Sequence, residues 1–438
     1  QSKLEVYMDA RTRSPQYDSE PGLDRVSARS TGQRGKFRLS AFSALRNRDY
    51  RWFWFGMLAS FNAMQMQMVA RGWLVYTMTD SAFLLGLVSA GYGIPMVVLS
   101  LYGGAVVDRV RKRNLLVAVR AGLSVLSLII TILIFTNTIS VWHLMLNSIL
   151  SGVLFSFYGP GRQAFIAELV GKDSIMNAIA MNSMALNICR IASPALAGLL
   201  IKVIGIPGVY GLVTISGFLV VFSLAMIPAG KKTEVRPDTP MLADVLEGIR
   251  YVKDNAVILC LLIIGFIPVL TAMPYQMLMP VFAKTVFGAG ETGLGLLMSA
   301  VGVGALTGSA TLASLGNYEH KGRLMLIVGS FFGLFLVLFG FMGSLRPGLT
   351  VLLFVGFCST LFMTLVNTML MTSTPEELLG RVMSIHMMTF GLMPLGTLPA
   401  GALAQAAGAP FTVILGGTLT TVSILFMAFT QPRLRKLK

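Results

Sequence analysis

The sequence predicts an all-α membrane protein of twelve transmembrane helices, arranged as two parallel six-helix repeats. Three observations predict it. Of the 438 residues, 55 % are hydrophobic and only 12 % charged, whereas an ordinary soluble domain carries about 25 % charged residues. Apolar stretches follow one another from Arg51 to Phe429 with short interruptions, and a helix needs ~20 such residues to cross a bilayer. Short strings at corresponding connections also recur at an offset near 210 residues. The 45 glycines point the same way, because Gly is frequent in membrane helices. This composition excludes a soluble enzyme and a disordered chain. The net charge of +16 has a topological explanation, so no nucleic-acid partner is expected.

The spans read as 51–76, 83–106, 115–136, 142–165, 177–204 and 208–227, then 256–283, 292–314, 323–343, 348–372, 381–406 and 410–429. None alternates over ~10 residues as strands of an outer-membrane barrel do. Residues 1–45 are polar and predict a disordered cytoplasmic tail. Residues 46–227 and 256–431 form the two expected bundles, and 228–255 the cytoplasmic linker between them. Within the linker, Leu242, Val245, Leu246, Ile249 and Val252 recur at helical spacing, which predicts an amphipathic surface helix. Residues 432–438 make a basic cytoplasmic tail.

An even number of spans puts both termini on one side. There, 21 Lys and Arg flank or join the spans, Arg162 among them; the opposite side has four, Arg71, Lys202, Lys284 and Arg346. By the positive-inside rule both termini are expected in the cytoplasm, with the chain crossing the cell inner membrane many times. The same charges favour anionic headgroups of the bilayer.

The repeat is visible at two connections. Asp108–Arg109–Val110–Arg111–Lys112–Arg113–Asn114–Leu115–Leu116 lies opposite Tyr318–Glu319–His320–Lys321–Gly322–Arg323–Leu324–Met325–Leu326. Glu168–Leu169–Val170–Gly171–Lys172 lies opposite Glu377–Leu378–Leu379–Gly380–Arg381. Parallel repeats suit an alternating-access transporter whose substrate site lies between the halves near mid-membrane.

The connection after the second span runs from Gly104 through Asp108 and Arg109 to Arg113. Asp108 ends a helix, where the macrodipole disfavours an anion, so it needs a positive partner. The string resembles the loop motif of the major facilitator superfamily, Gly-x-x-x-Asp-Arg-x-Gly-Arg-Arg/Lys, with Arg111 in place of the second glycine. The resemblance implies a conformational latch made by Gly104, Asp108, Arg109 and Arg113, which holds the two halves in the outward-facing state. Three further strings, Tyr158–Gly159–Pro160–Gly161–Arg162–Gln163 continuing to Val170, Trp73 to Ser81, and Gly380 to Ser384, resemble the bacterial enterobactin-exporter and macrolide-efflux group. Ser193–Pro194–Ala195–Leu196–Ala197–Gly198 is similar to the antiporter signature Gly-Pro-x-x-x-Gly, with Ser193 replacing its first glycine. On residues alone the same string is also an ordinary proline kink with a small-residue packing face.

Charges within a membrane are functional candidates. Arg190 stands near the middle of the fifth span and needs an anionic or carbonyl partner. It is read either as a binding or gating residue or as part of a structural pair between helices. In the first span Asn62 and Gln65 share a face, and Arg71 lies in the outer part, where snorkelling towards headgroups is expected. Arg120, one turn inside the third span, is expected to snorkel too. No Asp or Glu lies near the middle of any span, so a proton relay has only Glu168, Asp108 and His386 to draw on, with His386 expected mainly to pack. The 27 methionines would suit bulky, varied substrates wherever they face a cavity.

The reading is therefore a secondary active transporter that exports a small amphipathic compound, drug-like or siderophore-like, by alternating access. Its expected partners are that substrate, a proton or other coupling ion and the lipid bilayer, and it is expected to act as a monomer without a cofactor or metal. The alternative is a lysolipid or metabolite carrier of the same fold working inward. An enzyme is not expected, since His143, His320 and His386 are scattered, Cys189, Cys260 and Cys358 lie far apart, and no P-loop string occurs. Gly288–Ala289–Gly290–Glu291–Thr292–Gly293 matches G-x-G-x-x-G but follows no strand, so it is not a dinucleotide site.

Overall fold

A computed structural model describes residues 47–228, 250–315 and 318–435. The expected disordered tail, most of the linker with its amphipathic helix, and residues 436–438 lie outside the described residues. What is described is helical: α1 Arg48–Thr79, α2 Ala82–Arg109, α3 Lys112–Phe135, α4 Val141–Ala225, α5 Ala256–Thr271, α6 Gly290–Leu315, α7 Lys321–Gly340, α8 Leu345–Ser373, α9 Glu376–Gly391, α10 Pro394–Ala407 and α11 Ala409–Thr430. Local chemistry sets several of these boundaries. Asn47 Oδ1 accepts hydrogen bonds from the backbone N–H groups of Asp49 and Tyr50 and so starts α1. Asp80 ends it in the left-handed region at φ 46°, and Ser81 then caps α2 by accepting from Leu84 N.

At 85 residues, α4 would be about 128 Å long if straight, about four times the ~30 Å hydrocarbon thickness. It reverses twice instead. Asn47 bonds Leu169 O while Tyr50 Oη bonds Ala178 O, so the chain turns back between residues 169 and 178. The second reversal is at Gly205, whose φ of +73° is a conformation that glycine adopts without steric cost. Beyond it Thr214 meets Thr131 and Ser223 meets Trp52 O. These pairings make three antiparallel arms, 141–170, 177–204 and 206–225.

Two spans expected to be continuous are interrupted. After α5 the backbone passes through a 3₁₀ stretch Met273–Leu278, a short α turn Met279–Val281 and a π turn Phe282–Val286. Pro268, Pro274 and Pro280 each remove a backbone donor there. The expected span 381–406 divides into α9 and α10 at Gly391 and Pro394 for the same reason.

Among the described residues, ten helical segments are long and apolar enough to cross a membrane. α1 falls short of that hydropathy because Asn62, Gln65, Gln67 and Arg71 interrupt it. Large apolar side chains such as Phe135, Trp142, Phe218, Phe341 and Phe426 stand exposed, a surface suited to lipid rather than water. The ends of α1, α3 and α4 at Asn47, Arg113 and Ala225 come together, and the turn Pro432–Arg435 that follows α11 packs against α5. This side is called the near end. The far end holds Asp80, Gly205, Lys284 and Gln405.

Candidate functional site

A cavity of about 1300 Å³ lies between the N-terminal helices and the C-terminal ones. Its lining comes from α1 (Met68 to Val75), α2 (Leu85 to Val97), the first arm of α4 (Gly159, Pro160, Gln163), the irregular stretch after α5 (Gln276, Met277, Pro280), α6 (Leu294, Met298) and the α9–α10 region (Gly380 to Thr397). Eight methionines line it: Met68, Met96, Met277, Met298, Met383, Met387, Met388 and Met393. Its described lining includes Arg71 and Arg381 and no Asp, Glu or His. The wall is therefore adaptable and mostly apolar, with the Arg71 cation set in it.

The described contacts between the two sets of helices include several at the far end and in mid-depth. Lys284 Nζ lies 2.5 Å from Asp80 Oδ1, Tyr76 Oη is 2.7 Å from Thr285 Oγ1, and Ala82 N donates to Gln405 Oε1 at 2.9 Å. Glycines let backbones meet there. A Cβ on Gly198 would stand 2.5 Å from Glu291 O and 3.0 Å from Gly295 Cα, and one on Gly86 would stand 2.9 Å from Thr397 O. Deeper in, Ser299 Oγ donates to Ile191 O at 2.7 Å. The cavity lining instead reaches towards the near end, at Gln163 and Gly380.

Beside the cavity the N-terminal set encloses a polar cluster. The Arg120 guanidinium donates to Ser60 Oγ and lies 3.9 Å from the centre of the Tyr158 ring, within cation–π range. Tyr158 Oη is 3.3 Å from Ser60 Oγ. Arg162 donates to Asn182 Oδ1 at 2.9 Å and lies 5.1 Å over Phe61. Arg120 is only 7 % exposed, so it does not snorkel as expected. Aromatic faces and a hydroxyl stabilise it inside the bundle. Arg162, counted among the near-end flanking charges, also points inward.

Arg71 departs from expectation in the same way. Its Nη1 donates to Ser148 Oγ at 3.2 Å and its guanidinium lies 5.5 Å from the centre of the Tyr92 ring, on the cavity wall rather than among headgroups. Arg190 is partly buried and is not among the cavity-lining residues. Pro194, four residues on, has no N–H to bond the Arg190 carbonyl, and that carbonyl faces Gly302 across the seam. Ser193 is 2 % exposed, and Pro194 O would lie 2.5 Å from a Cβ on Gly295. The string Ser193–Pro194–Gly198 thus packs the second arm of α4 against α6.

The remaining candidates are dispersed. The side chains of Gly104 and Asp108 are outside the described residues. Arg109 is exposed. Arg113 donates from Nη2 to Ala225 O at 2.7 Å and from Nε to Leu224 O at 3.2 Å, a cation capping the C-terminal end of α4. Glu168 pairs with Lys112 at 3.5 Å. Both interactions are internal to the N-terminal set. Asn62 Oδ1 is buried without a hydrogen-bond partner in the described structure, and neither Asn62 nor Gln65 lines the cavity. His386 is 2 % exposed and its ring would lie 3.7 Å from a Cβ on Gly265. Sequence reasoning missed the roles of Ser60, Tyr92, Ser148 and Tyr158. The signal available was that each buried arginine needs neutral acceptors or aromatic faces nearby.

Many membrane-length helices around a cavity that has polar groups in an apolar wall define a multi-pass membrane transporter. Residues 39–438 match the family described as transmembrane secretion effector, and the chain belongs to that family, within the major facilitator superfamily. It is 27 % identical over 312 residues to the enterobactin exporter EntS of Shigella boydii serotype 4, covering 70 % of this chain and 73 % of that one. It is 25 % identical over 372 residues to the staphyloferrin A transporter of Staphylococcus aureus, covering 84 % and 93 %. The fold resembles that of the nucleoside transporter NupG, with a TM-score of 0.68 at 12 % identity over 87 % of this chain and 99 % of that one. It also resembles the D-xylose–proton symporter, with a TM-score of 0.69 at 14 % identity over 88 % and 97 %.

Proposed function

We propose that this chain exports a small amphipathic compound, drug-like or siderophore-like, across the cytoplasmic membrane by alternating access, with proton antiport as the driving force. The observation that carries the reading is the 1300 Å³ cavity between the two sets of helices, in a chain related to an enterobactin exporter and a staphyloferrin A transporter. The ten membrane-length segments, with α1 added and the segment 177–225 split at Gly205, make twelve crossings in two six-helix bundles. With both termini cytoplasmic by the positive-inside rule, the near end is cytoplasmic and the far-end contacts close the outside. The described conformation is then inward-facing.

In this reading Gly104, Asp108, Arg109 and Arg113 form the latch of the opposite, outward-facing state, and Ser193, Pro194 and Gly198 form the seam on which the halves rock. Arg71 binds substrate, and Arg190, Asn62, Gln65, Glu168 and His386, which are not among the cavity-lining residues, are the remaining coupling or gating candidates. Asp108→Asn should slow transport while leaving membrane insertion intact. A deletion strain screened for susceptibility to, and efflux of, chemically varied compounds tests the function. Loss of efflux for at least one amphipathic compound, restored by the gene, supports it; unchanged efflux across the panel refutes it.

A further inference from the structure

Resting on the transport reading, we infer that the cargo is an amphipathic organic anion whose carboxylate is gripped by Arg71. The chemistry of the wall carries this. A guanidinium has five N–H donors, and among the described residues the Arg71 group bonds only one acceptor, Ser148 Oγ. It also lies over the Tyr92 ring face, with the buried Tyr210 nearby; neither side chain carries a charge. No described carboxylate lies within ion-pair distance of it, since the described ion pairs are Lys112–Glu168 and Asp80–Lys284. A charge in an apolar surround is stable only when paired or fully hydrogen-bonded. A carboxylate takes two of the free donors in a bidentate fork.

The rest of the cavity selects in the same direction. No lining carboxylate is described that would balance an organic cation. Like charges brought together in a partly desolvated site oppose binding. Met68, Met96, Met277, Met298, Met383 and Met387 offer a pliable surface for the apolar part of the cargo. Gln163 and Gln276 add neutral hydrogen-bonding groups to the lining. The cavity therefore discriminates by sign of charge and tolerates varied apolar shapes.

The test uses the full chain purified in detergent and three probes with one fluorophore: dansyl-phenylalanine, its uncharged methyl ester and cationic dansylcadaverine. Binding is read by dansyl fluorescence. The acid should bind about tenfold to a hundredfold more tightly than the ester, as expected for hydrogen bonds to a charged group, and more tightly still than the cation. Arg71→Ala and Arg71→Gln should remove that preference, and Arg71→Lys should keep part of it. A matching size-exclusion profile and an unchanged thermal midpoint show that the variants are folded. Equal affinities for the three probes, including no binding by any, overturn the inference, as does a preference for the acid that survives Arg71→Gln. Flux in vesicles is scored separately. Export of cations without this preference leaves the transport reading standing and this inference refuted, whereas selective binding without flux does the reverse.

Discussion

The Lys284 ammonium lies 2.5 Å from the Asp80 carboxylate, bridging the end of α1 and the π turn that follows α5. The same ammonium is 5.4 Å from the centre of the Tyr76 ring, whose hydroxyl meets Thr285. The contacts form a clamp that holds the far end shut. Asp80 is 72 % exposed, so the ion pair alone is worth only ~0.2–1 kcal/mol. Asp80→Asn or Lys284→Met should shift the balance between open and closed far ends by at most about fivefold. Nitroxide labels at Phe83→Cys and Phe411→Cys would show this as a larger share of long distances. The exchange Asp80→Lys with Lys284→Asp should restore the original distribution; no change in either single variant would remove the clamp from the account.

The seam between the second arm of α4 and α6 depends on bare backbone. Gly198→Ala places a Cβ 2.5 Å from Glu291 O, and such overpacking costs ~1–3 kcal/mol. The variant should open the far end more than loss of the ion pair does, and lower the thermal midpoint. Gly211→Ala is the control, because a Cβ there meets nothing within 4 Å. Equal melting of the two variants would show that the seam is not tight.

Tyr158 holds two guanidinium groups by its ring, with Arg120 at 3.9 Å and Arg162 at 6.0 Å from the centre. Tyr158→Phe keeps the ring and loses the contact with Ser60, a cost of ~0.5–1.5 kcal/mol. Tyr158→Leu exposes both desolvated cations to an aliphatic wall and should cost ~2 kcal/mol or more. Thermal unfolding of the two variants decides whether ring or hydroxyl carries the cluster. A leucine variant as stable as phenylalanine would discount the ring.

Arg71 and Arg190 should separate in function. Arg71 lines the cavity and Arg190 does not, so Arg190→Ala should leave the dansyl-phenylalanine affinity within about twofold while Arg71→Ala weakens it about tenfold or more. Titration of both variants checks this. The reverse order would return Arg190 to the binding site.

Depth in the membrane is legible from sequence, but direction around a helix is much less so. The apolar lengths of α3, α7, α8 and α11 match their expected spans closely, because crossing a bilayer demands ~20 apolar residues whatever the tertiary structure. The sequence predicts that Arg71 and Arg120 snorkel, whereas their guanidinium groups lie against the rings of Tyr92 and Tyr158. A helix with lipid on one face and apolar neighbours on the other shows little periodicity, so the sequence does not reveal which face bears the charge. The reversal at Gly205 and the breaks near Pro280 and Pro394 hid for a related reason. In membrane helices Gly and Pro mark turns, kinks and uninterrupted packing alike. The cavity needs residues from six elements at once, and nothing local announces that Met68, Gln276 and Met383 share one wall.

The claim at the centre is outward transport driven by a proton gradient. Inside-out vesicles carrying the full chain, with an acidic lumen, measure it directly when given a compound identified by the efflux screen. The account predicts accumulation in the lumen that vanishes when the gradient is dissipated and falls in the Asp108→Asn variant. Accumulation equal to that of vesicles lacking the chain, or uptake seen only in right-side-out vesicles, would contradict it.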